Sequence, residues 1–217
     1  MSGTITVKGT GTVKVPPDTV TVSFTLTAKA MEYREMMQLA EQKSHALHGA
    51  LADAGLNPDD LRTGSCNINT NYEHLPDEHG NYRPVFSGYV STQTAVLELP
   101  LDLDRLGRVF AAAEQSGAEP ELSLSFTVKD RFALQERVLT DATQKARKNA
   151  EILAKASGVT LGALQSVTYH DPQHEPLSAT RCNLVGMAKG AAMCDGIAIN
   201  PEDITAEETA VFVWEIE

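Results

Sequence analysis

Hydrophobic side chains recur along this chain with two different periods, and the changes between those periods predict the order of its elements. A period of two residues predicts strands, and a period of three to four residues predicts helices. Glycine, proline and aspartate lie at the changes, as expected for turns and helix ends. The predicted elements are strands at 4–15 and 20–28, a helix at 32–54, strands at 61–72 and 86–99, a helix at 103–113, a strand at 122–128, a helix at 131–157, and strands at 164–169 and 210–216.

The longest predicted element is the helix at 131–157. One of its faces carries a valine and four alanines spaced by four residues, while the opposite face is charged. A face made of alanine allows a helix to lie close to the surface beneath it, and Gly158 provides the residue that ends the helix. The alanine stripe comprises Val138, Ala142, Ala146, Ala150 and Ala154.

The order of elements predicts an α+β fold: a largely antiparallel sheet of about seven strands, with two long helices and one shorter helix packed on one face. The Pro16-Pro17-Asp18 turn predicts that the first two strands form a hairpin. The last strand is apolar on both faces, which predicts a place inside the sheet. We expect a single domain over 1–217, interrupted by an irregular loop at 170–206.

Gly9 and Gly11 lie inside the first predicted strand and resemble the beginning of a dinucleotide-binding fingerprint. No third glycine follows, and the strand pattern continues through Val13 and Val15 where the fingerprint requires a helix. The better interpretation is a close approach of another part of the backbone, or a bulge.

The chain has 217 residues and a formal net charge of −11, which disfavours nonspecific binding to nucleic acid or anionic lipid. No apolar run reaches the ~20 residues that a membrane helix needs. The first residues lead directly into a strand without an apolar signal segment, which predicts a cytoplasmic protein. A trimmed export signal would leave a similar start and would make the protein periplasmic or extracytoplasmic.

The three cysteines allow at most one internal disulfide. Cys66 falls on a predicted strand and is interpreted as a buried, small hydrophobic residue. Cys182 and Cys194 fall in the irregular loop, where exposure would make them the candidates for a redox response. His45 and His48 share a helix with Glu41, but they lack a complete ligand set, so no metal or other cofactor is predicted.

The irregular loop also contains an apolar stretch, 184–199, with no evident place in the core. Apolar surface without a core position usually marks an interface. This stretch therefore predicts an oligomer contact. The candidate contact residues are Leu184, Val185, Met187, Met193, Ile197 and Ile199.

Several short patterns, taken together, resemble those of the SIMPL domain family, a group of bacterial proteins of poorly defined function. They include the opening Val7-x-Gly9-x-Gly11-x-Val13 pattern and its following turn, and they extend over essentially the whole chain. The other matching features are Gly55-Leu56, the turn from Asp60 to Thr63, Gly88-Tyr89, Gly117-Ala118 and the alanine-spaced third helix ending at Gly158.

The family resemblance implies an α+β fold, a tendency to form oligomers that include rings or channels, and an association with oxidative-stress tolerance. It brings no catalytic residues. The leading hypothesis is therefore a non-enzymatic protein that assembles with itself or binds a protein partner. The alternative is a redox-responsive or metal-binding protein that uses the cysteines and histidines of the loop.

Overall fold

A computed structural model describes residues 3–76, 81–170, 176–184 and 199–217. Its elements confirm the predicted α+β class and the predicted three helices. They are β1 Gly3–Val15, β2 Thr19–Ala30, α1 Tyr33–Asp53, β3 Leu61–Pro76, β4 Tyr82–Pro100, α2 Leu103–Gln115, β5 Glu121–Thr127, α3 Arg131–Ala156, β6 Leu161–Tyr169, β7 Leu177–Leu184 and β8 Ile204–Ile216, with a 3₁₀ turn at Pro58–Asp60.

The described strands form two antiparallel sheets where a single sheet was predicted. One sheet has the order β1-β8-β6, and the other has the order β3-β4-β2-β5-β7. The last strand, β8, lies between two others, as its two apolar faces predict. The chain divides into two compact units: a first unit of Met1–Asp18, Thr127–Ala179 and Pro201–Glu217, and a second unit of Thr19–Phe126 and Thr180–Asn200.

The predicted hairpin of the first two strands is wrong. β1 pairs with β8 along its whole length, from Gly3 opposite Ile216 to Val15 opposite Ile204, while β2 pairs with β4. Hydrogen bonds to the end of β5 and to the residues after it hold the turn between β1 and β2 in another direction. The Asp18 amide donates to the Thr127 carbonyl at 3.2 Å. The Asp18 carboxylate in turn accepts a 2.8 Å hydrogen bond from the Lys129 amide.

In the first unit, α3 covers β1 and β8 with its alanine stripe, whose members are almost completely buried. The helix lies so close to β1 that Gly9 and Gly11 have no room for a side chain. A Cβ on Gly9 would lie 2.7 Å from the Cβ of Ala146, and one on Gly11 would lie 2.8 Å from the amide nitrogen of Ala142. These glycines therefore serve helix packing, as the close-approach interpretation predicts.

A polar contact fixes the same helix beside β1. The carboxylate of Asp141 accepts a 2.9 Å hydrogen bond from the Thr12 amide and lies 2.7 Å from the Lys145 ammonium. The Lys145 hydrogen bond and then the Thr12 amide hold the pKa of the Asp141 carboxyl below its ordinary value.

In the second unit, α1 and α2 pack on one face of the five-stranded sheet over a continuous hydrophobic core. The carboxylate of Asp102 caps α2 by accepting from the amides of Asp104 at 2.9 Å and Arg105 at 3.2 Å. The largest core side chains that are almost fully buried include Phe24, Phe126, Leu47, Leu97 and Leu106.

The irregular loop predicted at 170–206 is too long, because it contains β7 and the first residues of β8. Two inward positions of β7 hold Ser178, which is buried, and Cys182, which is half-buried. The Ser178 hydroxyl donates to the Glu202 carbonyl at 2.7 Å. With polar or weakly polar residues facing inward, the strand lacks the hydrophobic alternation that reveals strands in a sequence.

Replacing Gly11 by alanine should destabilise the protein by about 1–3 kcal/mol, because the added methyl forces α3 away from β1. Urea denaturation followed by circular dichroism measures the change. The matched control is Gly49→Ala on the exposed face of α1, where a Cβ meets nothing within 4 Å. This control should stabilise by roughly 0.5–1 kcal/mol. Equal effects of both substitutions would contradict the close packing.

Asp141→Asn should lower stability at neutral pH and much less in acid. A carboxyl whose pKa is lower in the folded state contributes stability above its unfolded pKa of about 3.9, and this contribution is lost as pH falls through the folded value. Urea denaturation at neutral pH and near pH ~3 measures the difference. A gap between wild type and variant that is equally large in acid would contradict the assignment.

Candidate interaction surface

The contact residues predicted from the sequence lie mostly outside the described residues. Val185, Met187, Met193 and Ile197 are all in the 185–198 range, while Leu184 is the last residue of β7. Ile199 is half-buried and packs against the core of the second unit. The oligomer contact at 184–199 therefore stays a prediction.

The described cysteines differ from their predicted environments. Cys182 lies on β7, where it is half-buried and packs against the core of the second unit, and Cys194 falls outside the described residues. Cys66 was predicted to be buried, and this is wrong: it is exposed. It lies on β3, the terminal strand of its sheet, whereas α1 covers β2 and β4.

The most prominent exposed feature of the second unit is a two-stranded ribbon made by the ends of β3 and β4. β2 ends at Ala30, opposite Tyr89, but β3 and β4 stay paired as far as Pro76 opposite Tyr82. This extension is about 20 Å long at ~3.4 Å per residue. A two-stranded ribbon is marginally stable in water unless something covers one of its faces.

Aromatic rings follow one another along the ribbon and form a ladder. Tyr33, at the start of α1, contacts Tyr89 with ring centroids 5.6 Å apart. Tyr89 contacts Phe86 at 5.4 Å, and Phe86 contacts Tyr72 at 5.8 Å, all in edge-to-face geometry. Tyr72 is 53% exposed and Tyr82, further along the ribbon, is 71% exposed. The ladder thus presents large apolar area to solvent.

A bulge places the ladder on one face of the ribbon. Asn71 pairs with Gly88 and Tyr72 pairs with Phe86, so Ser87 is an extra residue in β4. Without it, Phe86 and Tyr89 would point to opposite faces, because neighbouring strand residues alternate. Gly88 has φ +111°, and a Cβ there would collide with the Ala30 carbonyl, which restricts the position to glycine.

We define the ribbon surface as Tyr33, Tyr72, Tyr82 and Phe86. All four side chains are exposed aromatic groups of the second unit. Tyrosine and phenylalanine are common at protein interfaces because they bury a large area with few rotatable bonds. This arrangement is suited to binding another polypeptide.

A groove between α1 and strands β3 and β4 has a volume of about 400 Å³. Its lining includes Cys66, His45, Glu41 and Arg34. His45 and Glu41 are 3.8 Å apart. Over the described ranges, no three His, Cys, Asp or Glu side chains come together in a way that could hold a metal ion.

The first unit has a groove of its own, about 730 Å³, between α3 and the exposed strand β6. Leu164, Phe212 and Trp214 contribute to it, with the Phe212 and Trp214 rings stacked at 5.5 Å. Nearby, the Gln135 amide donates to the Tyr169 hydroxyl at 3.0 Å, and that hydroxyl donates to the Glu208 carboxylate.

Among the described helices, none is both long and apolar enough to span a membrane.

The sequence pattern does not reveal the ribbon surface, because the predicted strands at 61–72 and 86–99 stop short of the paired ends of β3 and β4. Two signals could have revealed it. Aromatic residues flank the segment between these predicted strands, with Tyr72 before it and Tyr82 and Phe86 at its end. In addition, residues 84–97 include no charged residue, and the centres of interfaces are depleted of charged residues.

Comparison with known proteins assigns the family. Residues 5–214 match the model of the SIMPL family, described as a protein of unknown function (DUF541). The chain therefore belongs to the SIMPL family, which confirms the resemblance noted in the sequence.

Among its relatives, the uncharacterized protein YggE of Edwardsiella ictaluri is 25% identical over 82% of this chain and 72% of the relative. The 26 kDa periplasmic immunogenic protein of Brucella melitensis is also 25% identical, over 76% of this chain and 65% of the relative. The chain thus spans about two thirds of the length of the Brucella protein. A crystal structure of a hydrolase from Listeria innocua aligns over 95% of this chain and 92% of the hydrolase chain. At 10% identity and a TM-score of 0.14, this alignment shows no similarity of fold.

The exposure of the thiols predicts their order of reaction. Cys66 should react with N-ethylmaleimide before Cys182, because only an accessible thiolate can attack the reagent. Peptide mapping by mass spectrometry after short labelling times gives both rates in one experiment, and Cys66→Ser identifies the peptide. Faster labelling of Cys182 in the folded protein would contradict the positions described here.

Proposed function

We propose that this protein works without catalysing a reaction, by assembling with copies of itself through the ribbon surface. The observation that carries the proposal is the exposed aromatic ladder on a ribbon that no third described strand supports. Burying apolar area gains about 25 cal/mol per Å². A cover supplied by a second polypeptide would therefore stabilise both the ribbon and the complex.

The charge distribution favours the part of β3 and β4 from which the ribbon extends. Two copies of a chain with net charge −11 repel one another, so they approach most easily where charge is lowest. Residues 84–97 of β4 are uncharged, as are residues 63–72 of β3. A protein partner in place of a second copy is the other form of the hypothesis, and it predicts a monomer in isolation.

Location and stress association belong to the same proposal. The name of the Brucella relatives describes those proteins as periplasmic, which supports a periplasmic location for this chain over the cytoplasmic one. The association with oxidative-stress tolerance comes from the family resemblance. The second candidate function, a thiol-based response, is favoured by the exposure of Cys66 in the groove between α1 and β3.

Light scattering coupled to size exclusion tests the self-assembly. We expect a molar mass above the 23.4 kDa of one chain, increasing with protein concentration. Replacing both Tyr82 and Phe86 by serine should weaken the association about tenfold or more, because central aromatic residues dominate interfaces. The control is Leu103→Ser, which changes an exposed side chain on α2.

Two results would contradict the proposal. One is a wild-type protein of 23.4 kDa at the highest concentration reached. The other is an oligomer that the serine double variant leaves intact, or that Leu103→Ser disrupts equally. Circular dichroism of each variant shows whether the fold is retained.

A further inference from the structure

The outer edge of β3 offers backbone groups to a further strand. β3 is a terminal strand of its sheet and pairs only with β4 in the part of the chain that the structure describes. Its side chains are exposed from Arg62 to Thr70. Each second residue of such a strand directs its N–H and C=O away from the sheet, where another strand can pair with them.

The other terminal strands are less suited to pairing. β1 carries Lys8 and Lys14, and lysine on an edge strand is a common protection against pairing. The short strand β7 carries Arg181. β6 is uncharged, but its register shifts twice between Leu161 and Ser166, which leaves only Ser166–Tyr169 in regular register.

β3 combines length, regularity and neutrality. Seven consecutive residues, Ser65–Asn71, stay in unbroken register with β4 between two bulges. No residue from Thr63 to Tyr72 is charged or proline. An exposed edge with these properties pairs readily with another strand unless it is blocked.

We propose that β3 of one chain pairs antiparallel with β3 of a second copy, edge to edge about a two-fold axis. This inference rests on the proposed self-assembly and adds a backbone contact along the edge of β3. It joins two five-stranded sheets into one continuous sheet. Because the paired strands run antiparallel, each ribbon extends from the junction toward the beginning of the other copy's β3.

Two features of this chain favour a second copy as the occupant. First, a second copy presents the same uncharged edge. Two acidic chains therefore repel each other least when these two edges meet. Second, the groove flanking β3 carries both Arg34 and Glu41, so the two-fold axis places residues of both signs on each side of the junction.

Two-fold symmetry fixes what the pairing must look like. Residues opposite one another in a sheet point to the same face, so one residue within the regular run must lie opposite its own copy. The Cα atoms of that residue would be about 4.5–5.5 Å apart, a separation that a disulfide can span. Two residues away, the same positions in the two copies are about 14 Å apart.

A lysine variant tests whether the edge is used. Asn69→Lys should weaken dimerisation about tenfold or more in sedimentation equilibrium, since it places two ammonium groups across the junction. Its matched control is Thr168→Lys, an exposed position on the terminal strand of the other sheet, which should dimerise as the wild type does.

A cysteine scan tests the geometry. Single cysteines are placed in turn at each position of Ser65–Asn71 in a full-length chain whose native cysteines are serine. Under mild oxidation, disulfide-linked dimer should peak at one position and disappear two residues to either side. Equal crosslinking along the run would indicate parallel strands and would contradict the antiparallel pair.

The outcomes separate this inference from the self-assembly beneath it. If the wild type forms an oligomer that Asn69→Lys leaves intact, and no position crosslinks, the β3 pairing is wrong while self-assembly stands. If the wild type is a strict monomer, both fall, and a different protein becomes the expected partner of the ribbon surface.

Discussion

The requirement that backbone N–H and C=O groups be paired or hydrated governs this structure more than any individual side chain. Within each sheet the inner strands meet this requirement, and β8, apolar on both faces, has a partner on each side. In each terminal strand, only the N–H and C=O groups that face the neighbouring strand are paired within the sheet. The described strands therefore provide a stable interior and four sheet edges, and the composition of each edge determines whether another chain can bind there.

Packing in the first unit depends on a close helix–strand contact. The pattern Val7-x-Gly9-x-Gly11-x-Val13 exists here because α3 passes directly over the two glycines. The alanines of α3 and the glycines of β1 both have little or no side chain, and this shortens the distance between the helix and the strand. A glycine pair that resembles part of a phosphate-binding motif is thus explained by the absence of space for a Cβ.

Local chemistry made part of this fold predictable. The α3 stripe, the Asp102 cap and the stop at Gly158, which has φ +73°, each follow from neighbouring residues. Pairing of distant strands was not predictable in this way. β1 finds its partner about 200 residues along the chain, and the inward side of β7 carries Ser178 and Cys182 in place of large hydrophobic residues.

The ribbon surface could not be predicted from the sequence for a related reason. The exposure of Cys66 depends on β3 being a terminal strand, and the aromatic ladder depends on a bulge that only the paired register reveals. Both facts belong to the sheet as a whole. A sequence pattern reports which residues share a face of one strand, and it does not report which strand lies at the edge.

In the proposed dimer, two copies of this chain meet along the edge of β3. Hydrogen exchange measured at several protein concentrations tests it directly, because strand pairing protects the amides that point outward. We predict that exchange across Ser65–Asn71 slows as concentration rises, while exchange across Ser166–Tyr169 of β6 stays constant. Unchanged exchange across Ser65–Asn71 in a sample that does oligomerise would contradict the claim.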